Sequence, residues 1–357
     1  MLSRIAESLF WIGRYVERAD ETARILDVHI HYLLEGPAPD AAQTAQVLLD
    51  TMGVPVTLDA DDPPELPVGI APEQIPVGPL APATVRAFDA QAVTEILAFD
   101  ETNPSSIVSA LTAARANARG VSEAISSEMW EALNATYNAL AGQVGLGRRL
   151  GMYSFFRFVR ERAALFTGLT DSTMSKDDAW RFLVLGRSVE RVDMLARLLA
   201  TRVGQHDIDV DWVVLLRCCS AHEAFLRTYR REPDELLAAE FLVLDRLFPR
   251  SIFSALASAE ACLLALDPSS NRAGTRDEAR RLLGLARARL EYRGIDELLA
   301  DLPAQLRAVQ HGCRLASEAT AARYFRQSAV IEWNQEGAGL PETELDEEIH
   351  RAQEVEA

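Results

Sequence analysis

Two acidic, arginine-rich stretches carry the side chains best suited to chemistry. Gly13, Glu17, Asp20 and Arg24 follow one another at steps of four, three and four. On an α-helix that spacing places all four on one narrow stripe. Gly186, Glu190, Asp193 and Arg197 draw the same stripe at an offset of 173 residues. Arg14 and Arg18 lie further round the first helix, and Arg187 and Arg191 further round the second. A guanidinium fork holds a carboxylate or phosphate bidentately. A glutamate crowded beside it grips an amine or works as a general base. Arg14, Glu17, Arg18, Asp20, Arg24, Arg187, Glu190, Arg191, Asp193 and Arg197 are therefore the candidate ligand- or partner-binding set.

The same residues also suit packing. Glycine in mid-helix costs about 1 kcal/mol against alanine, so a glycine in each stripe points to close helix–helix approach. A buried Glu/Arg/Asp cluster would fix how the two helices cross, provided every charge is paired. Packing leads this comparison, recognition follows, and direct catalysis comes last, so no residue is assigned as catalytic.

Other chemistry is thinner. Asn103-Pro104-Ser105-Ser106 and Phe248-Pro249-Arg250-Ser251 open helices, with Asn103 expected as N-cap and Pro104 in the first position. Asn103, Ser105, Ser106, Arg250 and Ser251 are candidate anion-binding helix starts. Metal sites of helical bundles need inward glutamates and Glu-x-x-His pairs. That spacing occurs only at Glu347 and His350, while Asp27, His29 and His31 fall on different faces of a helix. No metal and no cofactor is expected. Phosphate loops, strand-led GxGxxG and GxSxG elbows are missing. Cys218, Cys219, Cys262 and Cys313 form no CxxC pair and read as small core residues. His222-Glu223 beside Cys218 and Cys219 is a core or capping feature rather than a thiol site.

Helices must position all of this. From Leu2 to Glu35 the apolar residues Ile5, Leu9, Ile12, Val16, Ala19, Ala23, Leu26, Ile30 and Leu33 recur at steps of three and four. A further helix is expected near Ala41–Met52. Prolines crowd residues 53–82, which read as a long exposed excursion. Helical periodicity then resumes at 83–99, 104–127, 128–146, 152–168, 177–203, 209–231, 233–247, 249–267, 274–293 and 303–332, and no window shows convincing strand alternation.

The motif Gly-Arg-x-Val-Glu-Arg-x-Asp at 13–20 and 186–193 is one of two repeated blocks. Asp100, Pro104, Ser106, Ile107, Ser109, Ala110 and Leu111 recur as Asp245, Pro249, Ser251, Ile252, Ser254, Ala255 and Leu256, with Glu95 and Leu97 matching Glu240 and Leu242. Two blocks in the same order predict an all-α fold, a duplicated multi-helix bundle with a pseudo-two-fold internal repeat. Residues 1–168 form the first repeat, including the 53–82 excursion. Residues 169–335 form the second, packed with the first as one unit, and 336–357 is an acidic, flexible tail.

The bulk composition bounds the function. The 357 residues are 48% hydrophobic and carry a net charge of −17. Such a surface repels phosphate backbones and anionic lipid, which argues against nucleic-acid and membrane partners. Arg4, Glu7 and Arg14 interrupt any N-terminal signal-like run, so a cytoplasmic location is expected. Lys176 is the only lysine among the 36 basic residues, so a single arginine is weaker testimony to a special site than usual.

With these residues in view, the chain resembles the alpha-E family, a bacterial all-helical domain named for a recurring Glu-Arg motif. The resemblance is carried by MLSRIAESLFWIGRYVERADETARILDV, FDETNPSSIVSALTAARANARGVSEAISSEMWEALN, DDAWRFLVLGRSVERVDMLARLL and FLVLDRLFPRSI, spread over residues 1–330. It implies a setting beside circularly permuted ATP-grasp and transglutaminase-like proteins, which look like amide-bond machinery. It also places the family's Glu-Arg positions at Glu17-Arg18 and Glu190-Arg191. The leading expectation is an accessory helical partner in an ATP-grasp-linked peptide ligation or modification system, docking the ligase or holding a peptide or amino-acid substrate. The alternatives are an amide-forming or hydrolysing enzyme using Glu17 and Glu190 as acid and base, and a self-associating scaffold.

Overall fold

The computed structural model describes residues 3–35, 45–46, 48–54, 56–58, 83–85, 90–203, 211–268, 274 and 276–325. The chain is all-α, with one minor exception among the described residues. Two long helices form its centre, α1 (Ser3–Glu35) and α6 (Asp178–Val203). On α1 the stripe from Leu9 through Ile12, Val16, Ala19, Ala23, Leu26 and Ile30 is buried, as the spacing requires. Helix α6 buries residues around most of its middle, so it lies inside the bundle rather than on its surface.

Each central helix gathers its own escorts. Around α1 pack α3 (Ile107–Arg119) and α5 (Tyr153–Thr173), with α4 (Ser127–Leu150) against both of these. Before them come α2 (Ala90–Thr94) and a π-helical turn, Glu95–Phe99, buried from Ile96 onward. Shorter helices α7 (Trp212–Cys218), α8 (His222–Tyr229) and α9 (Glu235–Leu244) follow α6. Around α6 pack α10 (Ile252–Leu266) and α13 (Leu302–Tyr324), with α11 (Glu278–Glu291) against both. Helix α12 (Ile295–Leu299) links the last two. The α3/α4/α5 scheme on α1 therefore recurs as α10/α11/α13 on α6, and α1 packs most extensively against α6. Met1–Arg326 form one unit.

Several boundaries differ from the periodicity. The helix expected over 209–231 is broken, because Ser220 adopts a left-handed conformation (φ 51°) and Arg24 donates to its hydroxyl. Apolar spacing runs on unchanged across that break. The helix expected to end at 146 continues through Gly147 to Leu150 and stops at Gly151, whose φ of 102° suits only glycine. Asn103 is not an N-cap: its buried amide instead donates to Ile96 O, and Ser106 caps α3 by accepting from Ser109 N at 3.1 Å. Val56–Leu58 and Ala83–Val85, flanking the proline-rich segment, pair as two parallel strands of three residues each. Strands that short leave no alternation to read. Residues 41–44, most of 53–82, the tail from 336 and the Glu347/His350 pair lie outside the described residues; within 45–52 the described residues are helical.

Candidate functional site

The two repeated stripes meet where α1 crosses α6. A methyl group built on Gly13 would run into the carbonyl oxygen of Leu183, and one on Gly186 into that of Phe10. Each glycine thus lets its helix rest on the other's backbone. That close approach brings the neighbouring charges across the seam.

The motif residues are exchanged between the helices. Arg191 Nε donates to Glu17 Oε1 at 2.6 Å, and Arg18 Nε to Glu190 Oε1 at 2.6 Å. The glutamate of each Glu-Arg pair is therefore neutralised by the arginine of the other. Arg14 Nε completes Glu190 by donating to Oε2 at 2.6 Å. At the corresponding place, Arg187 turns away to Asp171, 3.6 Å distant, and its buried Nη1 has no partner among the described residues. Arg250 fills that role instead, with Nη1 3.6 Å from Glu17 Oε1 and 2.6 Å from Glu21 Oε1, and Nη2 on Asp20. Asp20 also accepts from Arg24 Nε at 3.0 Å, while Asp193 is held by Arg197 and by Gln310 Nε2 at 3.2 Å.

Electrostatics follow from this pairing. Burial alone would raise both motif glutamates, but the arginines outweigh it. Arg191 and Arg250 hold Glu17 at about 2, and Arg14 and Arg18 hold Glu190 at about 2. Glu21 goes the other way. Burial, reinforced by Glu17 and Asp20, pushes it up to about 8 although Arg250 opposes the shift. The result is a closed ion-pair lock around two carboxylates that stay ionised.

Of the ten candidate residues, Arg14, Arg18 and Glu190 form one cluster and Glu17, Asp20, Arg24 and Arg191 another around Arg250, while Arg187 turns to Asp171 and Asp193 pairs with Arg197. Of the helix-start set, only Arg250 joins them. Ser106 and Ser251 are fully buried, each capping its own helix through Ser109 N and Ser254 N. Asn103 Oδ1 accepts from Ser105 N at 2.9 Å, and Arg250 serves the lock. These side chains thus serve Ser105 N, Ser109 N and Ser254 N at the two helix starts. Sequence reasoning missed Glu21, which has no counterpart at Met194, and Arg250's reach across the bundle. Spacing along one helix carries no signal for either.

The four cysteines are free and buried. The imidazole that reaches Cys218 is His29, with Nδ1 3.5 Å from the sulfur, not the sequence-adjacent His222. His29 Nδ1 also bonds Ile25 O at 2.8 Å, so that carbonyl fixes the proton on Nδ1. Burial, helped by Arg202, lowers His29 to about 3, and burial pushes the Cys218 thiol up to about 12. Both groups stay neutral at pH 7, so no thiolate–imidazolium pair forms. Ellman's reagent should accordingly find no fast-reacting thiol in the folded protein and four after denaturation. A single rapid equivalent at neutral pH would contradict this arrangement. Asp27 pairs with Arg160 at 2.6 Å, and the side chain of His31 lies outside the described residues.

This is an all-helical domain whose centre is a reciprocal Glu-Arg clamp. The chain belongs to the Alpha-E family, whose description, "A predicted alpha-helical domain with a conserved ER motif", matches residues 1–325. Uncharacterised proteins of Mycobacterium bovis and Mycobacterium tuberculosis are 23% identical to it over 279 residues, or 75% of this chain. The matched region makes up only 30% of those relatives' length. No solved structure matches the chain. Among the described residues no helix is long and apolar enough to cross a membrane.

Proposed function

We propose that this protein is a binding and docking partner in an ATP-grasp-linked peptide ligation or modification system, and that its Glu-Arg motif builds the scaffold rather than performing chemistry. The observation that carries the reading is the state of Glu190. It is 1% exposed, and its two carboxylate oxygens are engaged by Arg14 and Arg18. A general base needs a free lone pair within reach of the proton it takes. Glu17 is 4% exposed, and Arg191 and Arg250 both face its Oε1, at 2.6 and 3.6 Å. A rigid clamp of this kind suits a module that presents surfaces to something else. The length of the mycobacterial relatives fits as well, since there the homologous region shares its chain with other segments.

The association with ATP-grasp and transglutaminase-like proteins rests on the family resemblance. Its test is co-purification: the tagged chain, expressed with a genomically adjacent ATP-grasp protein, should retain it at micromolar concentration through gel filtration. Two separate peaks at that concentration would overturn the docking reading.

A further inference from the structure

A second feature is a cavity of about 730 Å³ where the end of α1, the π-helical turn and the α4–α5 corner meet. That volume is in the range of small-molecule sites, which run from about 300 to 1,000 Å³. Phe99, Phe156, Met152 and Ile30 give it an apolar lining. Leu150 and Tyr153 flank Gly151 at the corner and are 78% and 58% exposed, an unusual outlay of large apolar surface beside a cavity.

The charges at this cavity are of both signs. Arg148 Nε donates to Glu95 Oε2 at 3.3 Å, and the two side chains are about half exposed. The guanidinium also lies over the Phe99 ring, 5.1 Å from its centroid. Asp27, already fixed by Arg160, is a second acid in the lining. A simple anion would meet two carboxylates here, and a pure hydrocarbon would leave the ion pair idle. An exposed pair such as Arg148–Glu95 is worth about 0–1 kcal/mol, so opening it is cheap. A ligand carrying an ammonium and a carboxylate close together replaces one weak pair with two charge-assisted contacts.

We infer that this cavity binds a zwitterionic amino acid or dipeptide with large apolar side chains. Its carboxylate sits on Arg148, its ammonium on Glu95, and its side chain lies against Phe99 and Phe156. The π-helical turn supports the geometry, because it sets Glu95 and Phe99 on the same wall; such turns recur at binding sites. The inference goes beyond the docking proposal and does not depend on it, since it concerns this chain alone.

Equilibrium dialysis of the full chain against L-phenylalanine and against L-leucyl-L-phenylalanine tests it. Saturable binding of at least one is expected, and their relative affinities tell amino acid from dipeptide. N-acetyl-L-phenylalanine, lacking the ammonium, and L-phenylalaninamide, lacking the carboxylate, should each bind about 10-fold or more weakly than phenylalanine. Arg148→Gln should weaken the zwitterion by a similar factor. Glu95→Gln should weaken it while leaving N-acetyl-L-phenylalanine unchanged or tighter. Both positions are exposed, so circular dichroism and melting temperature should match the wild type. No saturable binding of either zwitterion up to about 10 mM, roughly the weak limit of a specific site, would overturn the inference. So would wild-type affinity in both variants. Failure to retain an ATP-grasp protein leaves it untouched.

Discussion

Gly13→Ala and Gly186→Ala should each destabilise the protein by about 3 kcal/mol or more, among the largest effects of any single-methyl change in the chain. The reason lies in what the methyl meets. At both positions it is a backbone carbonyl of the opposite helix, Leu183 for Gly13 and Phe10 for Gly186. A flexible side chain could swing aside, but a carbonyl inside a helix moves only if the whole helix moves. Separating α1 from α6 would also lengthen the contacts of Arg18 with Glu190 and of Arg191 with Glu17, so steric and electrostatic losses are coupled. Alanine normally favours a helix over glycine by about 1 kcal/mol, so the sign of the effect is itself diagnostic. Urea denaturation of the two variants measures it. Gly142→Ala, where nothing lies within 4 Å, is the control and should be neutral or slightly stabilising. A Gly13→Ala protein as stable as the Gly142→Ala protein would mean that the helices do not cross at this point.

Much of the clamp was legible because its parts repeat. The stripe of glycine, glutamate, aspartate and arginine appears twice, and mid-helix glycine has few explanations other than close approach. The all-α class followed from apolar spacing, which is strong over a helix as long as α1. What escaped were features set by long-range contact. Nothing in the spacing of Phe248-Pro249-Arg250-Ser251 says that Arg250 reaches Glu17, Asp20 and Glu21 on α1. Serine rather than asparagine caps α3, because Asn103 is drawn inward to Ile96 O, and local propensity cannot see that pull. The cavity at Glu95 and Arg148 joins residues from α1, α2, the π-helical turn, α4 and α5, and its charged pair spans 53 positions of sequence. The broken 209–231 helix shows the same limit: one left-handed serine interrupts it without disturbing the apolar period.

Glu190→Gln is expected to cost about 3 kcal/mol, and clearly more than Glu17→Gln. The substitution keeps shape and removes charge, leaving Arg14 and Arg18 largely buried without their shared partner. Stacking of Arg14 over Trp11 and Arg18 over Tyr15 softens that loss without replacing the carboxylate. Around Glu17 the arginines have other acceptors. Arg191 also donates to Pro249 O at 3.0 Å, and Arg250 keeps Asp20 and Glu21. Removing the Glu17 charge further relieves Glu21, which burial, reinforced by Glu17, holds above its ordinary range. The pH dependence separates these effects by sign. Glu190 sits at about 2 when folded, against about 4.3 in an unfolded chain, so its contribution is complete above the unfolded value and is lost as pH falls toward 2. Glu21, raised to about 8, works in reverse: the folded state holds its proton more tightly, so stability declines as pH rises from about 4.5 to 8. Wild type and Glu190→Gln should therefore differ most above pH 5 and converge near pH 2, while Glu21→Gln should flatten the decline between pH 5 and 8. Melting curves across that range decide the matter. A constant gap between wild type and Glu190→Gln from pH 7 to pH 2 would show that the carboxylate is not ionised in the clamp, and the reciprocal ion pairing would have to be abandoned.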